Sequence, residues 1–356
     1  MFCRVKRAAL EKALYAAFRP VDPKCPNVTY TGIRLDCQQD QLTATGTNIA
    51  MTITRTIPVE PGSDDGIAVV PGKKFLDLIK KIDHDLLDLE TTEDAIVVKY
   101  GAHKATLKVF TFADNEFPIA SAPDRVDYEM SAEDFASALK IWPFCYNGID
   151  KPVLTGVYFN ITPFGAEFAA TDTHRVAVSR ATVEGNDVQA VIPSEAIRES
   201  INLLTTVRIT IEDRIVVLHD NTTRIYSLRI AGVYPDNLGA LFTGDFCARV
   251  EVNPKGMLST LERISLLQEK DRYVQISLDE SLELSFEGEG AKISEKIETF
   301  VHDGKADNVF NTKYLQEAIQ MYSSSEKITI FFGRGKQPSK IEDENLSIAL
   351  LPMLLK

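Results

Sequence analysis

The chain has 356 residues, 44% of them hydrophobic and 25% charged, with a net charge of −12. Two or three domains fit that length at about 100–200 residues each, no apolar run reaches the roughly 18 residues of a membrane helix, and no apolar core follows Met1-Phe2-Cys3-Arg4-Val5-Lys6-Arg7 as in a secretion signal. An acidic balance of this size argues against nucleic acid unless the charges are segregated along the chain.

In chain order, Leu10, Ala13, Leu14 and Ala17 give a short helix by their i, i+3, i+4, i+7 spacing. Val28 to Leu35 and Thr43 to Asn48 alternate as strands. Ala68-Val69-Val70-Pro71-Gly72 is a β-run and turn that leads into a second helix on Phe75, Leu78, Ile79 and Ile82. Ala105 to Phe112 alternates with period 2 and puts Leu107 and Val109 on one face. Asn115-Glu116-Phe117-Pro118 is a junction. Ser131 then caps a third helix (Phe135, Ala138, Leu139, Trp142), with Asp134 three residues on as in a capping box.

The pattern repeats. Val153 to Phe159 and Ala169 to His174 match the first two strands. Ala190-Val191-Ile192-Pro193-Ser194 leads into a fourth helix (Ile197, Ile201, Leu204), and Gly232-Val233-Tyr234-Pro235-Asp236 is the second junction. Asn253 and Pro254 open a fifth helix (Met257, Leu261, Ile264). Asn308-Val309-Phe310-Asn311-Thr312 leads into a sixth (Leu315, Ala318, Ile319, Tyr322). Gly72, Ser194 and Thr312 stand about 120 residues apart, and so do the starts of the other three helices. The expectation is three homologous α+β domains, at 1–122, 123–246 and 247–356, joined without floppy linkers.

The chemistry-bearing residues are sparse. Cys3, Cys25, Cys37, Cys145 and Cys247 are odd in number and never at C-x-x-C spacing, which gives neither a zinc site nor a disulfide framework and fits a reducing cytoplasm. Asp172 and His174 could suggest acid–base chemistry, yet no nucleophile motif and no second histidine stand beside them. Gly333-Arg334-Gly335-Lys336 is too short for a phosphate loop, so ATP binding is not expected. Summed over the six helices the charge is +4, against −16 for the rest of the chain. The helices are therefore basic relative to an acidic remainder.

Ala169-Ala170-Thr171-Asp172-Thr173-His174-Arg175-Val176-Ala177-Val178, with the apolar-Pro-Met-apolar tail Leu350-Leu351-Pro352-Met353-Leu354-Leu355-Lys356, resembles the signature of the bacterial DNA polymerase sliding clamps. The resemblance covers the whole chain. It implies three repeated clamp domains in a head-to-tail homodimeric ring, helices lining the hole and sheets outside. It implies a non-catalytic processivity factor without cofactor or metal, which encircles duplex DNA and is opened by an external clamp loader. The alternative is a peptide-binding scaffold of the same fold that is not loaded on DNA.

Residues can be carried over one by one. Val153, Leu154, Thr171, Thr173, His174, Arg175, Val176 and Pro235, with Ala349, Leu350, Leu351, Pro352, Met353 and Leu354, match a pocket for short peptides. Its partners would be the polymerase catalytic subunit, the loader and other proteins that carry a clamp motif. The expected DNA-facing cations are Lys6, Arg7, Lys12, Lys24, Lys73, Lys74, Lys80, Lys81, Lys140, Arg198, Lys255, Arg263 and Lys313. The expected dimer seam uses the strand bearing Leu107 and Val109, and Leu266 and Leu267 at the end of the fifth helix. The chain departs from the family pattern at Thr173 (often Gly), at Gly239 and Ala240, at Asp271 and at Leu354.

Overall fold

The computed structural model describes residues 1–110, 117–121, 123, 125–269, 272–288 and 290–353. Its helices lie where the apolar spacing sets them: α1 Arg7–Phe18, α2 Gly72–Lys81, α3 Ala132–Leu139, α4 Ser194–Leu203, α5 Pro254–Leu266 and α6 Thr312–Gln320. Side-chain caps start three of them. Ser131 Oγ accepts the Asp134 N–H at 3.0 Å, Asn253 accepts that of Lys255 at 2.9 Å, and Asn311 accepts that of Tyr314 at 3.2 Å. Each bond satisfies a donor that the first helical turn leaves open. α2, α4 and α6 end one or two residues before Ile82, Leu204 and Tyr322, and α3 stops short of Trp142, all of which the spacing assigned to them. Trp142–Phe144 is a 3-10 turn, because Pro143 disfavours helical geometry in the residue before it.

Contacts gather the chain into two compact units, Met1–Phe135 with Glu195–Arg229, and Ala136–Ser194 with Ile230–Lys356. The middle repeat contributes to both. In the first unit Phe2–Lys6, Leu86–Thr91, Ala95–Tyr100 and His103–Lys108 make a four-stranded sheet in that order. An eight-stranded sheet runs Gly66–Pro71, Gly32–Gln38, Gln41–Thr47, Met51–Pro58, Thr223–Leu228, Ile215–His219, Thr206–Ile211, Tyr128–Ser131. At its centre a first-repeat strand pairs with a middle-repeat strand, Ile53 opposite Ile225. Leu10 and Leu14 of α1 and Phe75 and Ile79 of α2 are fully buried in the core with Ile33 and Leu35.

The second unit has the same plan. Its nine-stranded sheet runs Val188–Pro193, Gly156–Thr162, Gly165–Thr171, Arg175–Ala181, Leu346–Leu350, Ser339–Glu342, Ile328–Gly333, Phe246–Val252, Thr299–Gly304. There a middle-repeat strand pairs with a third-repeat strand, Ala177 opposite Ile348. A four-stranded sheet runs Ala291–Ile297, Leu282–Gly288, Tyr273–Leu278, Ala306–Asn311. α5 and α6 pack on each other and bury Met257, Leu261, Leu315 and Ile319.

The repeats extend to turn chemistry. Thr47 Oγ1 donates to the Met51 carbonyl, and Thr171 Oγ1 donates to that of Arg175. Asn48 and Asp172 each accept the N–H three residues on. Both turns put a β-branched residue in the left-handed region, Ile49 at φ 76° and Thr173 at φ 78°. That conformation costs an L-residue roughly 1–2 kcal/mol, which explains why glycine suits the position. Ile49 is 65% exposed, so Ile49→Gly loses little packing. It is expected to raise the unfolding midpoint by about 1–3 °C after the entropic cost of glycine is deducted. A lowered midpoint in a thermal melt would refute the strain.

Candidate functional site

The signature turn is tied to itself and to its own arginine. Asp172 Oδ1 accepts the N–H groups of His174 and Arg175 at 3.0 and 3.1 Å, and its Oδ2 accepts Arg175 Nε at 3.0 Å. Both carboxylate oxygens are thus occupied by the turn and Arg175. The His174 ring stacks instead on Tyr314 of α6, with centroids 5.5 Å apart. Burial pushes the nearby Cys145 thiol up to about 12, so it offers no thiolate at neutral pH.

Arg175 is 5% exposed. Its guanidinium carbon lies 4.1 Å from the centre of the Phe144 ring and 4.8 Å from that of Tyr314. Its Nη2 lies 2.6 Å from Glu317 on α6. The resemblance set Arg175 among the pocket residues; in the structure it lies between rings and carboxylates.

Beside this turn is an apolar wall. Leu154, Ala169, Val176, Val178, Val191 and Tyr234 form a buried cluster, and Tyr146, Val153, Tyr158, Ile230, Leu238, Leu241 and Phe242 pack on it half-buried. Tyr158 stacks on Tyr234 at 4.9 Å with planes 5° apart. The Tyr234 hydroxyl donates to the Ala169 carbonyl at 3.4 Å, and burial pushes its pKa up, so it stays protonated. Thr171 is buried, whereas Thr173, His174 and Pro235 are exposed. Sequence reasoning missed Tyr146, Tyr158 and the short helix Leu238–Phe242. The Leu-x-x-Leu-Phe spacing just after Pro235 was the available signal.

The tail joins this wall. Ala349 and Leu350 are buried at the end of their strand. Beyond them the Leu351 N–H donates to the His174 carbonyl at 3.1 Å and the Met353 N–H to that of Val309 at 2.7 Å. Pro352 between them is half-buried, while the Leu351 and Met353 side chains are exposed. Leu354 and Asp271 lie outside the described residues.

The expected DNA-facing cations divide into two kinds. Lys6, Lys12, Lys24, Lys73, Lys74, Lys80, Lys81, Lys255 and Lys313 are exposed. Of these, Lys313 also lies 3.8 Å from Glu317. The other four cations are engaged more closely. Arg7 pairs with Glu11, Arg263 with Glu295, and Arg198 with Glu195 and Glu199. Lys140 departs furthest from expectation: its half-buried Nζ donates to the Met321 carbonyl at 2.6 Å, and burial lowers its pKa. It closes the C-terminal end of α6, where free carbonyls attract a cation. Just past α1 and on α2, Arg19 and Lys80 lie over the Tyr15 ring at 5.7 and 5.8 Å. That aromatic was not anticipated.

The expected seam strand is shorter than its alternation suggested. It spans His103–Lys108; Phe110 turns to bridge Val69; Thr111 and Phe112, with Asn115 and Glu116 of the junction, lie outside the described residues. Leu107 and Val109 are half-buried against the first-repeat core. Leu266 and Leu267 are 84% and 41% exposed.

Comparison with known proteins agrees with this architecture along its length. Residues 1–121 match the DNA polymerase III beta subunit N-terminal domain, 134–236 its central domain and 240–353 its C-terminal domain. The beta sliding clamp of Staphylococcus epidermidis is 24% identical, with 98% of each chain covered. That of Synechococcus elongatus is 24% identical over 92% of this chain and 91% of its own. In fold, the DNA polymerase sliding clamp of Bacillus subtilis superposes with a TM-score of 0.93 at 22% identity over 100% of both chains. The DNA polymerase III beta chain of Streptococcus pneumoniae gives 0.91 at 22% over 99% of this chain and 100% of its own. Among the described residues no helix is long and apolar enough to cross a membrane. The chain belongs to the DNA polymerase III beta subunit family, the beta sliding clamps, which are non-catalytic processivity factors of DNA replication.

Proposed function

We propose that two copies of the chain close head to tail into a ring around duplex DNA, with domains at 1–122, 123–246 and 247–356. The wall around Leu154, Val176 and Tyr234 takes the peptide tails of the polymerase catalytic subunit, the clamp loader and other proteins bearing the motif.

One observation carries the ring. Each of α1 to α6 is followed by at least three strands, and twice within the chain the third strand after one helix pairs with the third strand after another: Met51–Pro58 with Thr223–Leu228, and Arg175–Ala181 with Leu346–Leu350. Two strands in the equivalent positions remain, His103–Lys108 and Ala291–Ile297, each at the edge of a four-stranded sheet. Unpaired edges invite strand addition. A third junction of the same kind between copies satisfies both edges, and two such junctions close six domains.

The exposed lysines on the helices then face backbone phosphates. Such contacts carry no sequence information and weaken with salt. That suits a ring that must slide. Processivity comes from effective concentration, because a tethered polymerase that lets go rebinds before it diffuses away. Retention on circular DNA that is lost on linearisation separates this reading from an unloaded peptide scaffold.

For the pocket, burying a Leu and a Phe anchor supplies about 1.5–3 kcal/mol each. Backbone hydrogen bonds add to that and the ordering cost subtracts, so the affinity is expected to fall between about millimolar and micromolar. A fluorescence titration with a labelled Gln-Leu-Ser-Leu-Phe peptide is expected to saturate in that range. The chain truncated before Pro352 is expected not to bind. No binding to either form would sink the pocket.

A further inference from the structure

An unbroken line of polar contacts runs from α6 to the tail. Lys313 Nζ lies 3.8 Å from Glu317 Oε1, and Glu317 Oε2 lies 2.6 Å from Arg175. Arg175 Nε is 3.0 Å from Asp172, which accepts the His174 N–H. The His174 carbonyl in turn accepts the Leu351 N–H. Arg175 is held between the Phe144 and Tyr314 rings and is almost fully buried. Its guanidinium is engaged by the protein on every side described, so it acts on the pocket by holding the turn.

We propose that the Arg175–Glu317 pair is a positioning link between α6 and the peptide pocket, through which an anion at Lys313 alters peptide affinity. The link rests on the DNA-facing and pocket assignments above. Glu317 shares one carboxylate between a buried guanidinium and an exposed ammonium. A backbone phosphate drawn to Lys313 competes for that ammonium and leaves Glu317 to Arg175 alone. Arg175 cannot swing to follow without leaving two ring faces, so the change passes to the Asp172 turn. α6 has a second hold on the same turn, since Tyr314 stacks on His174. Coupling of this kind needs packed groups in contact, and each step here is a hydrogen bond, an ion pair or a ring contact.

The test uses the full chain, the labelled Gln-Leu-Ser-Leu-Phe peptide and a short blunt duplex. In the wild-type protein the duplex is expected to shift the peptide Kd by about threefold or more. Glu317→Gln and Lys313→Gln are each expected to lose the duplex-dependent shift, whatever peptide Kd each shows without duplex. A merely structural role for the pair would move the melting temperature and leave the duplex-dependent shift intact. No shift in the wild type, or an undiminished one in Glu317→Gln, overturns the link. Hydrogen exchange at the Leu351 amide is a second readout that needs no peptide. It is expected to quicken in Glu317→Gln, and unchanged exchange overturns the link. If peptide binds to no form, the pocket reading fails on its own and the Leu351 amide still decides the link.

Discussion

The double substitution Leu266→Asp, Leu267→Asp is expected to leave the protein monomeric by mass and to abolish its retention on circular DNA. The repeats say what these leucines meet. At the end of α1, Arg19 pairs with Glu199 on α4. Just past α3, Lys140 bonds to Met321 at the end of α6. In each case the end of the first helix of one repeat reaches the second helix of the next. By the same rule the end of α5 reaches α2 of another copy. At the two internal junctions the connection is polar, whereas Leu266 and Leu267 are apolar and exposed. Burying two leucines contributes about 4 kcal/mol per junction. Losing that weakens each junction by about a thousandfold, before the cost of desolvating aspartate is added. Phe164, fully exposed on a hairpin far along the chain from these elements, is the control: Phe164→Asp is expected to stay dimeric. A dimer that survives the double substitution at nanomolar concentration would place the seam elsewhere.

What could be read from the sequence was local or periodic. Helix spacing located the six α-helices of the described residues, and Ser131, Asn253 and Pro254 marked the starts of α3 and α5, because caps and apolar stripes are set within a few residues. The threefold repeat was legible because the helix starts recur about every 120 residues, and in two of the repeats Thr47-Asn48 and Thr171-Asp172 also keep the same side-chain bonds to their turns. Three features were not legible. Strand pairing between repeats joins Ile53 to Ile225, and no local pattern carries a contact so distant. Lysine and arginine read as exposed by default, so nothing announced that Lys140 would cap a helix or that Arg175 would be buried. Arg175 is buried because Phe144, Tyr314 and Glu317 converge on it from both directions along the chain. Only the fold brings those three together. The half-buried aromatics of the pocket, Tyr146, Tyr158 and Phe242, were hidden for the same reason: their neighbours lie on other strands.

Arg175→Ala is expected to destabilise the second unit strongly for a change at a charged residue. It removes the cation from two ring faces and leaves Asp172 and Glu317 without their shared partner. Breaking a buried pair from one side costs about 3–5 kcal/mol. The lower end applies here, since Asp172 keeps two backbone N–H donors and Glu317 is 38% exposed and can rehydrate. About 3 kcal/mol lowers the midpoint by about 6–12 °C for a unit of this size. The two units need not melt together, so the shift belongs to one transition. Arg175→Lys separates charge from shape. An ammonium restores the charge but cannot pair with both carboxylates while stacking flat on both rings. It is expected to recover less than half the loss. Glu317→Gln combined with Arg175→Ala should cost less than the two changes summed, since each removes the same pair. Full rescue by lysine would mean that Arg175 serves only as a point charge; strict additivity with Glu317→Gln would mean that the pair is not coupled and that the turn bearing His174 is held by its own hydrogen bonds without α6.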